Sequence, residues 1–288
     1  MRRPGWRFWL WLAALASLAT AAFDPRWTLP RPVHRYLAVV DITQSMNTRD
    51  YHRPGLPNDR IGFVKVSLEQ ALMALPCGTE LGLAIFTHKN AHVLLTPLEI
   101  CAHGAALRDA LRAIDWRSAW AADSYIAYGL FDAVRTARAL KSGVIFFTDG
   151  DPVPATARQP PFRGKPGQVK GWIVGVGGLV PAPIPKLDLE GRLTGYWRRA
   201  DLPRSVQSPR FVRQIRRERE GLLLSRLHED ELRQLAGLTG LRYHRLTTPQ
   251  ALTEALNRPE TAEIRPTALP LRPWLIGLAL ALALATLV

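Results

Sequence analysis

The sequence predicts an α/β protein: a mostly parallel central sheet with one antiparallel edge hairpin and helices on both faces. Three observations predict it. Short apolar runs of strand length recur along the chain, among them Leu37–Val40, Gly143–Thr148 and Gly171–Gly177, and such runs suit fully buried strands. Segments with apolar residues at helical spacing fall between them, and alternation of strand and helix is the pattern of a parallel sheet. One pair breaks the alternation. Glu80–Thr87 and His92–Pro97 flank only His88-Lys89-Asn90-Ala91, so they read as a hairpin.

The elements follow in order. Leu37–Val40 ends on Asp41-Ile42-Thr43-Gln44-Ser45, and a polar connector, Asn47–Arg60, carries the turn formers Pro54, Gly55, Pro57, Asn58 and Asp59. Ile61–Leu75 places Phe63, Val64, Leu68, Leu72 and Leu75 at helical spacing, and Pro76-Cys77-Gly78 stops it. After the hairpin come helices over Ala105–Ile114 and Ser124–Leu140, the second with Ile126, Leu130, Val134 and Ala137 on one face. Gly143–Thr148 runs into Asp149-Gly150-Asp151. Gly171–Gly177 is a further strand, and the order closes with helix Glu229–Leu238, strand Leu241–Leu246 and helix Pro249–Leu256.

Composition sets the compartment. A hydrophobic fraction of 47% excludes a disordered chain, and a formal net charge of +14 points to an acidic partner. Arg2, Arg3 and Arg7 precede the uncharged apolar run Phe8–Phe23, and Ala19-Thr20-Ala21 offers an A-x-A cleavage site. Residues 1–23 therefore read as a signal peptide or a signal anchor. A second apolar run, 274–288, follows a proline-spaced linker over 258–273 and reads as a membrane segment, short for a span. The expected location is a bacterial inner membrane with the globular domain in the periplasm, which makes nucleic acid an unsuitable partner for the positive charge.

Asp41, Thr43 and Ser45 set a carboxylate and two hydroxyls at alternating positions past a strand end. Oxygen donors of this kind suit a hard divalent cation such as Mg²⁺, and the carboxyl ends of strands in open α/β sheets are where ligands bind. An ordinary strand-end turn with Ser/Thr capping gives the same pentapeptide. Together with Ser124 in Ala122-Asp123-Ser124-Tyr125-Ile126 and Asp149 in Thr148-Asp149-Gly150, the set resembles the von Willebrand factor A (VWA) domain, a Rossmann-like fold, and its metal-ion-dependent adhesion site. Thr43 stands where that family usually has Ser, and Ser124 where it usually has Thr. The resemblance covers about residues 35–257. It implies that Thr43, Ser45 and Ser124 hold Mg²⁺ (Mn²⁺ and Ca²⁺ being alternatives) through hydroxyls or water. Asp41 and Asp149 then act mostly through coordinated waters, and a partner protein supplies a carboxylate.

Val174–Leu187 and Leu232–Leu246 further resemble membrane-tethered bacterial VWA proteins encoded beside MoxR-type ATPases. Asp41–Met46, Leu75–Gly78, Asp115-Trp116 and Gly240–Leu246 resemble the VWA accessory protein of methanol-oxidation gene clusters. That resemblance implies a non-catalytic role in maturing a periplasmic enzyme, with metal insertion into a methanol dehydrogenase as one form. An adhesion or surface-scaffold protein is the alternative, and a Mg²⁺-dependent hydrolase a further one, disfavoured because no general base stands in a recognised arrangement.

Other features weigh less. Gly175-Val176-Gly177-Gly178 lacks the third glycine of a dinucleotide loop. His88 and His92 read as a solvated hairpin edge; His103, His228 and His244 read as surface or packing residues. A basic insertion spans about 179–225; between Arg198 and Glu220 it has eight arginines against three acids, and Pro209 opens an expected helix over Phe211–Glu220. A solvated face, an acidic protein or anionic headgroups each account for it. Cys77 and Cys101 lie just outside the two hairpin strands, so pairing brings them together as a disulfide, the alternative being two buried free thiols.

Overall fold

The computed structural model describes residues 5–121, 123–153, 159–201 and 221–286. The chain divides into two units: 34–262, and a smaller one made of 1–33 with 263–288.

The larger unit is built on a six-stranded sheet from β2 (Arg35–Asp41), β3 (Glu80–Thr87), β4 (Asn90–Glu99), β5 (Gly143–Thr148), β6 (Gly171–Gly175) and β11 (Arg242–Arg245). Their order is β11-β6-β5-β2-β3-β4, parallel except for the β3–β4 hairpin at one edge. The fold class read from the sequence is the one observed. Alternation along β2 divides the core in two, as a period of two demands. Tyr36, Ala38 and Val40 enter one cluster, with residues of α2 (Arg60–Ala74), α3 (Ile100–Ala113) and α6 (Pro249–Leu256). Leu37 and Val39 enter the other, with α4 (Ile126–Ala139) and α5 (Glu229–Thr239). The middle strands are buried on both faces, which is why they read as unbroken apolar runs rather than as alternation.

Two helices start elsewhere than the periodicity suggests. α3 begins at Ile100 because the Glu99 carboxylate caps it, accepting from Ala102 N at 2.5 Å while its other oxygen takes Gly78 N at 2.7 Å. α4 begins at Ile126; Ser124 is held extended between Val153 and His88. The hairpin turns on His88 and Lys89, with His88 at φ 58°. Cys77 and Cys101 form the expected disulfide, with Cα atoms 5.5 Å apart. Past β6, the described part of the basic insertion holds short strands β7 (Ala182–Pro183), β8 (Pro185–Leu187), β9 (Leu193–Tyr196) and β10 (Leu224–Ser225). The helix expected over Phe211–Glu220 lies outside the described residues.

In the smaller unit, β1 (Arg26–Val33) pairs antiparallel with β12 (Glu263–Pro270), from Arg26↔Pro270 to Val33↔Glu263. The proline-spaced segment read as a linker thus contains a strand; a two-stranded ribbon has only edges, where proline is tolerated. Helices α1 (Trp6–Ala22) and α7 (Arg272–Ala285) flank the ribbon and meet through small residues. Ala14, Ser17 and Ala21 are the buried residues of α1, and Ser17 Oγ donates to Leu275 O at 2.8 Å. The expectation of a transmembrane segment needs correction: no helix among the described residues is long and apolar enough to cross a membrane. α1 has 17 residues and α7 has 14, whereas a span takes about 20 at 1.5 Å each.

Candidate functional site

The strand order reverses at β2, whose two neighbours, β3 and β5, lead away in opposite directions. Such a switch point opens a crevice at the carboxyl ends of the strands. Asp41 closes β2 there, and Asp149 follows β5.

Asp41 has no exposed surface. Its Oδ1 accepts from Thr43 N at 3.0 Å and from Thr43 Oγ1 at 2.7 Å, and its Oδ2 accepts from Thr148 Oγ1 at 2.7 Å. All these donors are neutral. Burial, and then the charge of Asp149 nearby, push its carboxyl up to about 7. Thr43 Oγ1 lies 3.4 Å from Ser45 Oγ. Ser45 lies buried within a 3₁₀ turn over Gln44–Asn47 that directly follows Thr43.

Asp149, equally buried, is bound differently. Its Oδ2 accepts from Arg60 Nη1 at 2.6 Å and from Ser225 Oγ at 3.0 Å, and its Oδ1 from Asp151 N at 3.1 Å. Arg60 itself has no exposed surface. It also donates from Nη2 to Asp50 Oδ2 at 2.7 Å, from Nη1 to Ser45 O at 3.2 Å and to Ser225 Oγ at 2.8 Å. A Cβ on Gly177, which sits at φ +107°, would stand 2.5 Å from Arg60 Nε, so the close approach requires glycine.

Ser124 reaches the same end of the sheet by its backbone. Its N donates to Val153 O at 2.7 Å, Val153 N returns a bond to Ser124 O at 2.9 Å, and Tyr125 N donates to His88 O at 2.8 Å. Ser124 Oγ is buried without a hydrogen-bond partner among the described residues, and so is Thr87 Oγ1 at the end of β3. A cleft of about 280 Å³ adjoins, lined by Tyr125, Tyr128, Gly150, Asp151, His228 and Leu232 among others.

Hydrogen bonds thus link Asp41, Thr43 and Thr148 with Ser45 Oγ, and Arg60 joins Asp149 to the Ser45 carbonyl, while Ser124 is held by main-chain bonds to Val153. Sequence reading missed Arg60, Asp50 and Ser225. One signal was present. A basic side chain in the first turn of a helix opposes the macrodipole, and Arg60 directly follows the Asp59 cap of α2. His228, read as a surface or packing residue, donates its backbone N–H to Asp149 O at 2.8 Å, and its ring Nε2 lies 3.6 Å from Asp151 Oδ1.

The residues fit a divalent cation on two observations: a buried carboxylate whose donors are all neutral, and a buried hydroxyl that lacks a partner. Among the described residues, the one cluster of acidic, His and Cys ligand atoms is Cys77, Glu99 and Cys101, whose two sulfurs form the disulfide.

No family model and no curated protein matches the chain. Solved structures do. One is an aerotolerance-related membrane protein from Bacteroides fragilis, 18% identical, with a TM-score of 0.53 over 78% of this chain and 96% of that one. Another is the conserved hypothetical protein BatB from Bacteroides thetaiotaomicron, also 18% identical, with a TM-score of 0.54 over 79% and 97%. A von Willebrand factor type A protein from Catenulispora acidiphila matches at 14% identity and a TM-score of 0.38, over 78% and 41%. Likeness at these identities concerns architecture. What the chain shares with the two Bacteroides proteins is that architecture, a six-stranded, mostly parallel sheet flanked by helices in this chain.

Proposed function

We propose that this protein is a non-catalytic, cation-dependent protein-binding module held at a membrane. Asp41, Thr43, Ser45, Ser124 and Asp149 are assigned to a Mg²⁺ site, with Mn²⁺ or Ca²⁺ as substitutes. The observation that carries the reading is Asp41, a fully buried carboxylate with only neutral donors. Removing such a group from water is costly unless a counter-charge arrives. Hard cations accept hydroxyl and carboxylate oxygens and leave positions for an outside ligand. A bound cation would supply Lewis acidity toward a carboxylate on a partner protein. Here Thr43 and Thr148 orient Asp41, and the cleft beside Asp151 receives the partner chain.

Membrane association is supported by the apolar faces of α1 and α7, where Trp6, Trp9, Leu15, Trp274 and Leu280 are exposed. The resemblance to VWA proteins of MoxR-associated and methanol-oxidation clusters points to maturation of an exported enzyme as the process served, with an acidic surface facing this basic chain.

Equilibrium dialysis with Mn²⁺ tests the site. Asp41→Ala and Ser124→Ala in the full chain should weaken binding by about tenfold or more while far-ultraviolet circular dichroism stays native. Unchanged affinity in both variants would remove these residues from the site.

A further inference from the structure

We propose that Arg60 is a positioning residue for the cation site, a claim resting on the metal reading above. It holds Asp149 back, so that the loaded site keeps an open, electropositive position for an external carboxylate. Asp149 Oδ2 is engaged by the guanidinium and by Ser225, and Oδ1 by Asp151 N. Asp149 therefore cannot swing toward a cation without breaking a 2.6 Å ion pair whose two side chains have no exposed surface. Arginine does not give up its proton in proteins, so this charge is permanent.

The arrangement is built rather than incidental. Ser45 and Asp50, Asp149, and Ser225, from three separate stretches of chain, converge on one guanidinium. Asp50 also accepts from Gly178 N at 2.8 Å, which fixes the anchor of the fork. A fixed positive charge beside the site repels a divalent cation and attracts an anion. The cation alone then binds weakly, and a carboxylate strengthens it, with the reciprocal effect required by linkage.

The test is calorimetric titration of the metal-stripped full chain with Mn²⁺, without and with sodium acetate as the probe carboxylate. For the wild type, acetate should tighten Mn²⁺ binding. Arg60→Gln should bind Mn²⁺ about tenfold more tightly in the absence of acetate and lose most of the acetate effect. A purely structural role would weaken Mn²⁺ binding in Arg60→Gln, and Arg60→Lys, which keeps the charge but loses the fork to Asp50, should fall between Arg60→Gln and wild type. Asp50→Asn removes one of the two carboxylates paired with Arg60, leaves Asp149 as its remaining counter-charge and should weaken Mn²⁺ binding. That variant decides the matter if Arg60→Gln fails to fold. Unchanged or weaker binding by folded Arg60→Gln, or unchanged binding by Asp50→Asn, would overturn the role of Arg60 and leave the metal reading standing. No Mn²⁺ binding by the wild type with or without acetate would overturn both.

Discussion

At the residue scale, the candidate site divides into what a short motif can carry and what it cannot. Asp41, Thr43 and Ser45 were legible because they sit at the end of β2 or within four residues of it, where turn chemistry already fixes position, whereas Asp149, directly after β5, took its role from the resemblance. Ser124 was legible only through a resemblance, since its loop carries no local pattern. Arg60, Asp50 and Ser225 were not legible: the contacts among them span 10 to 165 positions of sequence, and no local spacing encodes those. His34 gives this scale its own prediction. It is buried, stacked on Tyr36 with ring centroids 5.6 Å apart, and burial lowers its pKa below the ordinary value of 6.5 against the opposing bonds of Asn257 and Thr261. A lowered folded pKa means that the unfolded chain binds the proton more readily. Its contribution is complete above the unfolded pKa and is lost as pH falls from there toward the folded value. Urea unfolding of His34→Gln should accordingly show a shallower loss of stability than wild type between about pH 7 and 5.5. Parallel slopes would remove His34 as a source.

At the element scale, strands were placed more securely than helix starts. β3 spans Glu80–Thr87 and β5 Gly143–Thr148 as read, while β6 stops at Gly175, two residues before the expected end, and β4 runs Asn90–Glu99, longer than the His92–Pro97 expected. α3 and α4 were misplaced at their first turns because side-chain capping by Glu99 and backbone pairing of Ser124 override apolar periodicity. The disulfide could be argued from the hairpin alone, since antiparallel pairing about the turn brings its two open ends together. Packing between α4 and the sheet yields a prediction against propensity. Replacing a helical glycine by alanine ordinarily stabilises by up to about 1 kcal/mol. A Cβ on Gly129, however, would meet Phe86 Cε2 at 2.0 Å, and Phe86 has no exposed surface. Gly129→Ala should therefore destabilise the domain by about 1–3 kcal/mol, read from the urea midpoint. A gain in stability would mean that the ring moves aside.

At the scale of the whole molecule, the parallel order of the sheet was readable from element alternation, whereas the pairing of β1 with β12 was not. Those strands are proline-rich, lack an alternating pattern and lie more than two hundred residues apart, so nothing local announces their register. The Ala19-Thr20-Ala21 sequence lies inside α1, with Ala21 buried, and a peptidase needs its substrate extended. Intact mass of the protein from its native membranes should show residues 1–21 retained; a mature chain beginning at Ala22 would contradict this. The central claim is that the carboxyl end of β2 and the loops around it hold a divalent cation for an outside carboxylate. Anomalous diffraction from crystals of the full chain grown with Mn²⁺ tests it most directly. The account predicts a single strong peak at the carboxyl ends of β2 and β5, about 2.1 Å from the hydroxyl oxygens of Ser45 and Ser124. Saturating Mn²⁺ with no peak there, or a peak only elsewhere on the protein, would contradict it.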